Sequence, residues 1–176
     1  MKKPKMRWSL TIGVAIALTC FWKTGNLLGA DRAILTPGVG FSNGAAGFGG
    51  QAKLFFVPNL GLETDILWTP QICGNCTLSQ STATENLFYW INPVRFLSLY
   101  LSGGAGAAFY DLARPVSMSA ILPVFDIGFG AVFWTGKHVG LEVENRLFFP
   151  EGGGLDSNPS GSLNSDRWFL GISIPL

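Results

Sequence analysis

Val139-Gly140-Leu141-Glu142-Val143-Glu144-Asn145-Arg146-Leu147-Phe148-Phe149 is the stretch that decides the fold. Val139, Leu141, Val143, Leu147 and Phe149 share one parity, and Gly140, Glu142, Glu144, Arg146 and Phe148 share the other. A period of two is the side-chain period of a β-strand; a helix would instead group positions three and four apart and mix the acids with the aliphatics. Leu60 to Thr69 repeats the pattern, with Leu60, Leu62, Thr64, Ile66 and Trp68 on one face and Gly61, Glu63, Asp65, Leu67 and Thr69 on the other.

Working outward, the same alternation divides the chain into eight segments, roughly 33–42, 47–57, 60–70, 84–93, 96–109, 117–134, 139–150 and 166–176. Odd-to-even connections are long or irregular: Asn43 to Ala46, Gln71 to Ala83, Tyr110 to Val116 and Glu151 to Ser165. Even-to-odd connections are tight: Pro58-Asn59, Pro93 to Arg95 and Thr135 to His138. Long and short connections alternating over an even number of strands predict an all-β, eight-stranded antiparallel up-and-down transmembrane barrel, with turns on one side of the membrane and loops on the other.

Composition agrees with a membrane chain. The 176 residues are 48% hydrophobic and only 13% charged, with a mean hydropathy of +0.33. Such low charge excludes a disordered tail. A formal net charge of +1 offers no basic face for nucleic acid. After residue 30 no segment reaches the ~18 consecutive apolar residues of a spanning helix.

The N-terminus reads as an export signal. Lys2, Lys3, Lys5 and Arg7 precede the apolar run Trp8 to Phe21, and Leu28-Gly29-Ala30 offers a small residue at the cut. The expected organisation is therefore a signal peptide over 1–30 and a barrel over 31–176. Removing 1–30 takes five cations and no acid, leaving a mature net charge of −4.

If odd strands run outward, the apolar faces end in Phe41, Phe48, Trp68, Phe109, Phe149 and Trp168. Aromatic rings favour the membrane–water boundary, so these predict an outer girdle, with Phe56 and Phe133 in a sparser inner one. Lys53, Glu63, Asp65, Asp126, Glu142, Glu144, Arg146 and Arg167 fall on the opposite parity, which predicts a charged, mostly closed interior. Gly104, Gly106, Gly128 and Gly130 share that parity and give room in the narrow lumen of an eight-stranded barrel. Pro37 and Pro123 lie inside strands, where a missing N–H costs a ladder bond; a bulge or strand end is expected at Pro123.

With the girdle, the strand Gly103-Gly104-Ala105-Gly106-Ala107-Ala108-Phe109 and the closing strand Trp168 to Leu176 in place, the chain resembles the small eight-stranded outer-membrane barrels of the outer-membrane-protein-A type over 31–176. That resemblance implies location in the bacterial outer membrane, contact with its lipid and lipopolysaccharide, and insertion by the outer-membrane assembly machinery. The ending Ile174-Pro175-Leu176 departs from the terminal Phe of many such barrels. The second half also resembles lipid A deacylases, another eight-stranded family, in Gly104 to Phe109, Gly128-Phe129-Gly130 and the Ile-Pro-Leu ending. Their His-x-Ser pair would fall near Asn145 and Leu147, where neither residue type occurs.

Other chemistry is sparse. His138, the sole histidine, lies in a tight turn. The acid pairs Glu63/Asp65 and Glu142/Glu144 project to one side of their strands, with Lys53, Arg146 and Arg167 available as counter-charges. Cys73 and Cys76 sit in the longest loop of the first half; an exported chain favours a loop disulfide, and zinc would need two further ligands. No metal or cofactor is expected. The functional expectation is a non-enzymatic structural or surface-interaction protein acting through its outer loops. A narrow pore through the charged lumen and an outer-leaflet lipid-modifying enzyme are the alternatives.

Overall fold

A computed structural model describes residues 32–42, 45–70, 78–112, 118–150 and 165–176. The signal segment 1–30, Cys73, Cys76 and most of the 151–166 loop lie outside the described residues. Eight strands follow one another in chain order: β1 (Arg32–Ser42), β2 (Ala45–Val57), β3 (Leu60–Thr69), β4 (Leu78–Val94), β5 (Leu97–Leu112), β6 (Met118–Trp134), β7 (Gly140–Pro150) and β8 (Ser165–Pro175). Each pairs antiparallel with its neighbours, and β8 returns to β1 through Ile34↔Pro175 and Ser42↔Arg167, closing the ring. Closure gives every strand a partner on both sides and leaves no open sheet edge, the condition for crossing hydrocarbon with strands. Among the described residues no helix is long and apolar enough to cross a membrane.

The ring has a turn end and a loop end. At the turn end two register shifts, Phe55/Val57 and Ile91/Val94, bend the strands into the tight connections. Asn92 Oδ1 there accepts from Trp90 Nε1 (2.9 Å) and Ser98 Oγ (2.6 Å), and Ser98 Oγ accepts from Trp134 Nε1 (2.8 Å). At the loop end β4, β5 and β6 outreach the strands beside them. β4 begins at Leu78 rather than near residue 84, and Leu112 pairs with both Leu78 and Met118.

Both prolines are accommodated without a bulge of their own. Pro123 stays in register with Ala107 on β5, while pairing with β7 begins only at Val124, so the strand ends on one side alone. Of the bulge or strand end expected at Pro123, the structure has the strand end, on the β7 side alone. Pro37 pairs with Gly50, and the β1–β8 pairing skips Thr36 and Pro37 before resuming at Gly38. In each case the missing N–H falls where a ladder is interrupted.

Burial alternates along the strands with the polar residues inside. Leu87, Leu101, Ile127 and Phe129 are each more than half exposed on the outer surface, whereas Lys53, Glu63 and Arg146 are fully buried. Exposed aliphatic and aromatic side chains encircle the barrel, far more continuous apolar surface than a water-soluble monomer presents. The surface is that of a transmembrane barrel, apolar toward lipid and polar toward the lumen.

The lumen as candidate functional site

The lumen is filled in two layers. Nearest the turn end, Ile34, Phe55, Phe88, Trp90, Tyr100 and Val132 form an apolar cluster. Phe55 meets Phe88 and Trp90 edge-on (4.9 and 5.4 Å between centroids), and Trp90 stacks on Tyr100 at 5.4 Å and 5°. Gly130 makes this stack possible, since a Cβ there would collide with the Tyr100 ring. Reading the lumen as polar throughout missed this layer, although Phe88, Trp90 and Tyr100 each sit on their strand's inward parity.

Above it lies the charged layer. Lys53 on β2 reaches across to Glu142 on β7 (2.6 Å) and Glu63 on β3 (3.2 Å). Arg146 on β7 contacts Glu63, Asp126 (3.0 Å) and Glu144 (2.7 Å). Arg167 on β8 grips Asp65 with two parallel bonds of 2.7 Å and lies 3.5 Å from Glu144. Every one of these cations thus faces at least two carboxylates, the arrangement that repays the loss of hydration.

Neutral groups complete the network. Gln51 donates to Asp65 (3.0 Å) and Glu144 (2.9 Å) while its oxygen accepts from Lys53 (2.6 Å). Thr36 (2.9 Å) and Ser173 (2.6 Å) donate to Glu142, and the Tyr100 hydroxyl lies between Glu142 and Glu144 (2.5 Å to the latter). Gln51, Thr36, Ser173 and Tyr100 were not among the residues singled out in the sequence; inward parity was the available signal. Toward the loop end Ser42, Thr69, Gln80, Thr82, Phe148 and Arg167 bound a cavity of 10 Å³, about the room for one water. Among the described residues, Arg167 Nε and Thr82 Oγ1 are buried there without a hydrogen-bond partner.

Chemically, this layer binds its own charges. Its carboxylates are engaged by cations or hydroxyls, and the ion pairs span the barrel from β2 and β3 to β7 and β8. His138 sits in the exposed β6–β7 turn, away from the network. Asn145 and Leu147 face outward on β7, Asn145 donating a long 3.4 Å bond to the Arg167 carbonyl.

On the outer surface at the loop end, Phe41 pairs with Trp168, Phe48 with Trp68, and Phe149 with Phe125. Phe48 and Trp68 meet edge-on at 4.7 Å. Phe125, half exposed on β6, joins this ring although the sequence reading passed over it. The ring is interrupted at β4, where Ser81 stands between Trp68 and Phe109. Glu85, four residues along from Ser81, faces outward rather than into the lumen.

Closed eight-stranded topology, a lipid-facing apolar surface and a charge-filled lumen define a small outer-membrane-type β-barrel. Neither a family model nor a curated protein matches the chain. Among solved structures it is similar to the N-terminal β-barrel domain of Pseudomonas aeruginosa OprF, with TM-score 0.65 and 12% identity over 84% of this chain and 98% of that one. It is also similar to Neisserial surface protein A, with TM-score 0.59 and 12% identity over 81% and 94%. Ail, the attachment invasion locus protein of Yersinia pestis, matches with TM-score 0.58 and 16% identity over 82% and 98%. At such identities the likeness establishes the fold.

Proposed function

We propose that the protein is a non-enzymatic bacterial outer-membrane barrel, sealed along its axis, that holds its loops at the cell surface for structural or adhesive contact. The observation that carries this reading is the ion-pair network from Lys53 to Arg167, whose side chains leave at most 2% of their surface accessible. A sealed lumen rigidifies a scaffold and leaves the loops as the part free to meet partners. In this reading the turn end faces the periplasm and the aromatic ring marks the outer interface. Lipid and lipopolysaccharide surround the apolar face, and the assembly machinery inserts the chain.

Three further parts belong to the proposal. Residues 1–30 are a cleaved signal, so N-terminal sequencing of the exported protein should begin at Asp31. Cys73 and Cys76 form a loop disulfide, so the unreduced protein should resist alkylation at both. The inward charges act as a structural seal, so planar-bilayer recordings should be silent. Stable conductance that shifts on Glu142→Gln or Arg146→Gln would replace the sealed scaffold with a narrow pore. Lipid A or phospholipid masses that change on overexpression would replace it with a lipid-modifying enzyme.

A further inference from the structure

Two buried polar atoms that lack a hydrogen-bond partner among the described residues belong to side chains lining one cavity. Arg167 reaches it from β8 and Thr82 from β4, and the atoms are Arg167 Nε and Thr82 Oγ1. The other two guanidinium nitrogens are committed, each holding one Asp65 oxygen at 2.7 Å. The Phe148 ring lies 5.1 Å from the guanidinium carbon. Asp65 thereby fixes the plane of this rigid group, and with it the direction of the Nε–H bond.

The cavity walls come from three register pairs. Ser42 pairs with Arg167 across β1–β8, while Thr69 pairs with Gln80 and Leu67 with Thr82 across β3–β4. The space thus runs from β8 to β4, two strands that no side-chain hydrogen bond or ion pair joins among the described residues. Its 10 Å³ is about the room that a single water needs.

We propose that one water molecule is bound here as a fixed part of the fold, bridging Arg167 Nε to Thr82 Oγ1. Nε–H only donates, so its partner must accept; the Thr82 hydroxyl both donates and accepts. A water oxygen takes the Nε–H bond and exchanges a second bond with Thr82. Ser42, Thr69 and Gln80 add polar side chains to the lining, enough for the roughly three partners of a buried water. A halide fits worse, because Asp65 already neutralises Arg167 and repels a second anion beside it. An apolar occupant would leave Nε–H unsatisfied, the costlier outcome. The bridge ties β8 to β4 at the loop end, beyond the ion pairs. This inference goes beyond the sealed scaffold: conductance would overturn that role and leave the water site standing.

A crystal structure of the full chain, grown with sodium bromide as the only halide, tests it. One oxygen peak is expected within about 3.2 Å of both Arg167 Nε and Thr82 Oγ1, without anomalous signal at the bromine edge. Thr82→Val, which removes the hydroxyl at similar volume, should lose the peak, and Thr82→Ser should retain it. Heat-shifted migration identifies which variants have folded, and Thr82→Ala substitutes for Thr82→Val if that one has not. Absence of the peak in the wild type overturns the proposal. So does a bromide signal at that point, or a water that stays in place when the hydroxyl is removed.

Discussion

Lys53 Nζ lies 2.6 Å from Glu142 Oε1, joining β2 to β7 across the inside of the barrel. Both side chains are fully buried, so each is the other's replacement for water. Removing one partner strands the other in a low-dielectric interior, the costliest way to break such a pair. Lys53→Met should therefore cost about 3–5 kcal/mol in urea unfolding from lipid bilayers. The double variant Lys53→Met/Glu142→Leu should recover part of that. A single-variant loss below ~1 kcal/mol would mean that the network contributes little, as solvent-exposed pairs do.

Tyr100 belongs to both lumen layers, its ring stacked on Trp90 and its hydroxyl between Glu142 and Glu144. Tyr100→Phe keeps the stack and removes the hydroxyl, at an expected cost of about 1–3 kcal/mol. Tyr100→Ala also opens a cavity and should cost about 3–5 kcal/mol. Equal losses for the two would assign the whole contribution to the hydroxyl.

The outward surface makes a separate prediction. Leu170 faces lipid on β8, so Leu170→Arg should destabilise by ~2–4 kcal/mol in a bilayer. Phe41→Arg, at the aromatic ring, should cost only about 0–1 kcal/mol more than Phe41→Ala, because charge there reaches the interface. A barrel whose outer surface met water would show no such depth dependence.

Glycines inside the barrel and in its turns differ in what they tolerate. A Cβ at Gly104 would strike the Glu85 carbonyl and Asn86 Oδ1, so Gly104→Val should cost about 1–3 kcal/mol through forced displacement. At Gly136, in the β6–β7 turn, a Cβ meets nothing within 4 Å, and Gly136→Ala should stay within about 0.5 kcal/mol of wild type. Thermal denaturation followed by gel migration reads both.

Much of the architecture is legible in the sequence because strand parity is a local property. Alternation at Leu60–Thr69 and Val139–Phe149 settles which side chains share a face, and connection length settles the up-and-down order. Pairing partners are another matter. Lys53 and Glu142 are 89 positions apart, and only ring closure at β8–β1 brings β7 within reach of β2. The aromatic layer escaped because attention to charged inward positions passed over Trp90 and Tyr100, which obey the same parity. β4 runs on to Leu78 because Ser79, Gln80 and Ser81 gain partners on β5 in Asp111, Tyr110 and Phe109, a tertiary pairing that local polarity conceals. Glu85 was passed over as well: it stands outward on β4, against the inward parity of the other strand charges, and accepts from Thr64 on the neighbouring strand.

The most direct measurement is migration of the outer-membrane fraction on detergent gels, with and without boiling. A closed ring keeps every strand's backbone paired and resists detergent until heated. The expected result is a band in that fraction that migrates compactly when unheated and shifts after boiling. Release by a salt wash, with no heat shift, would contradict it and invert the assignment of inside and outside.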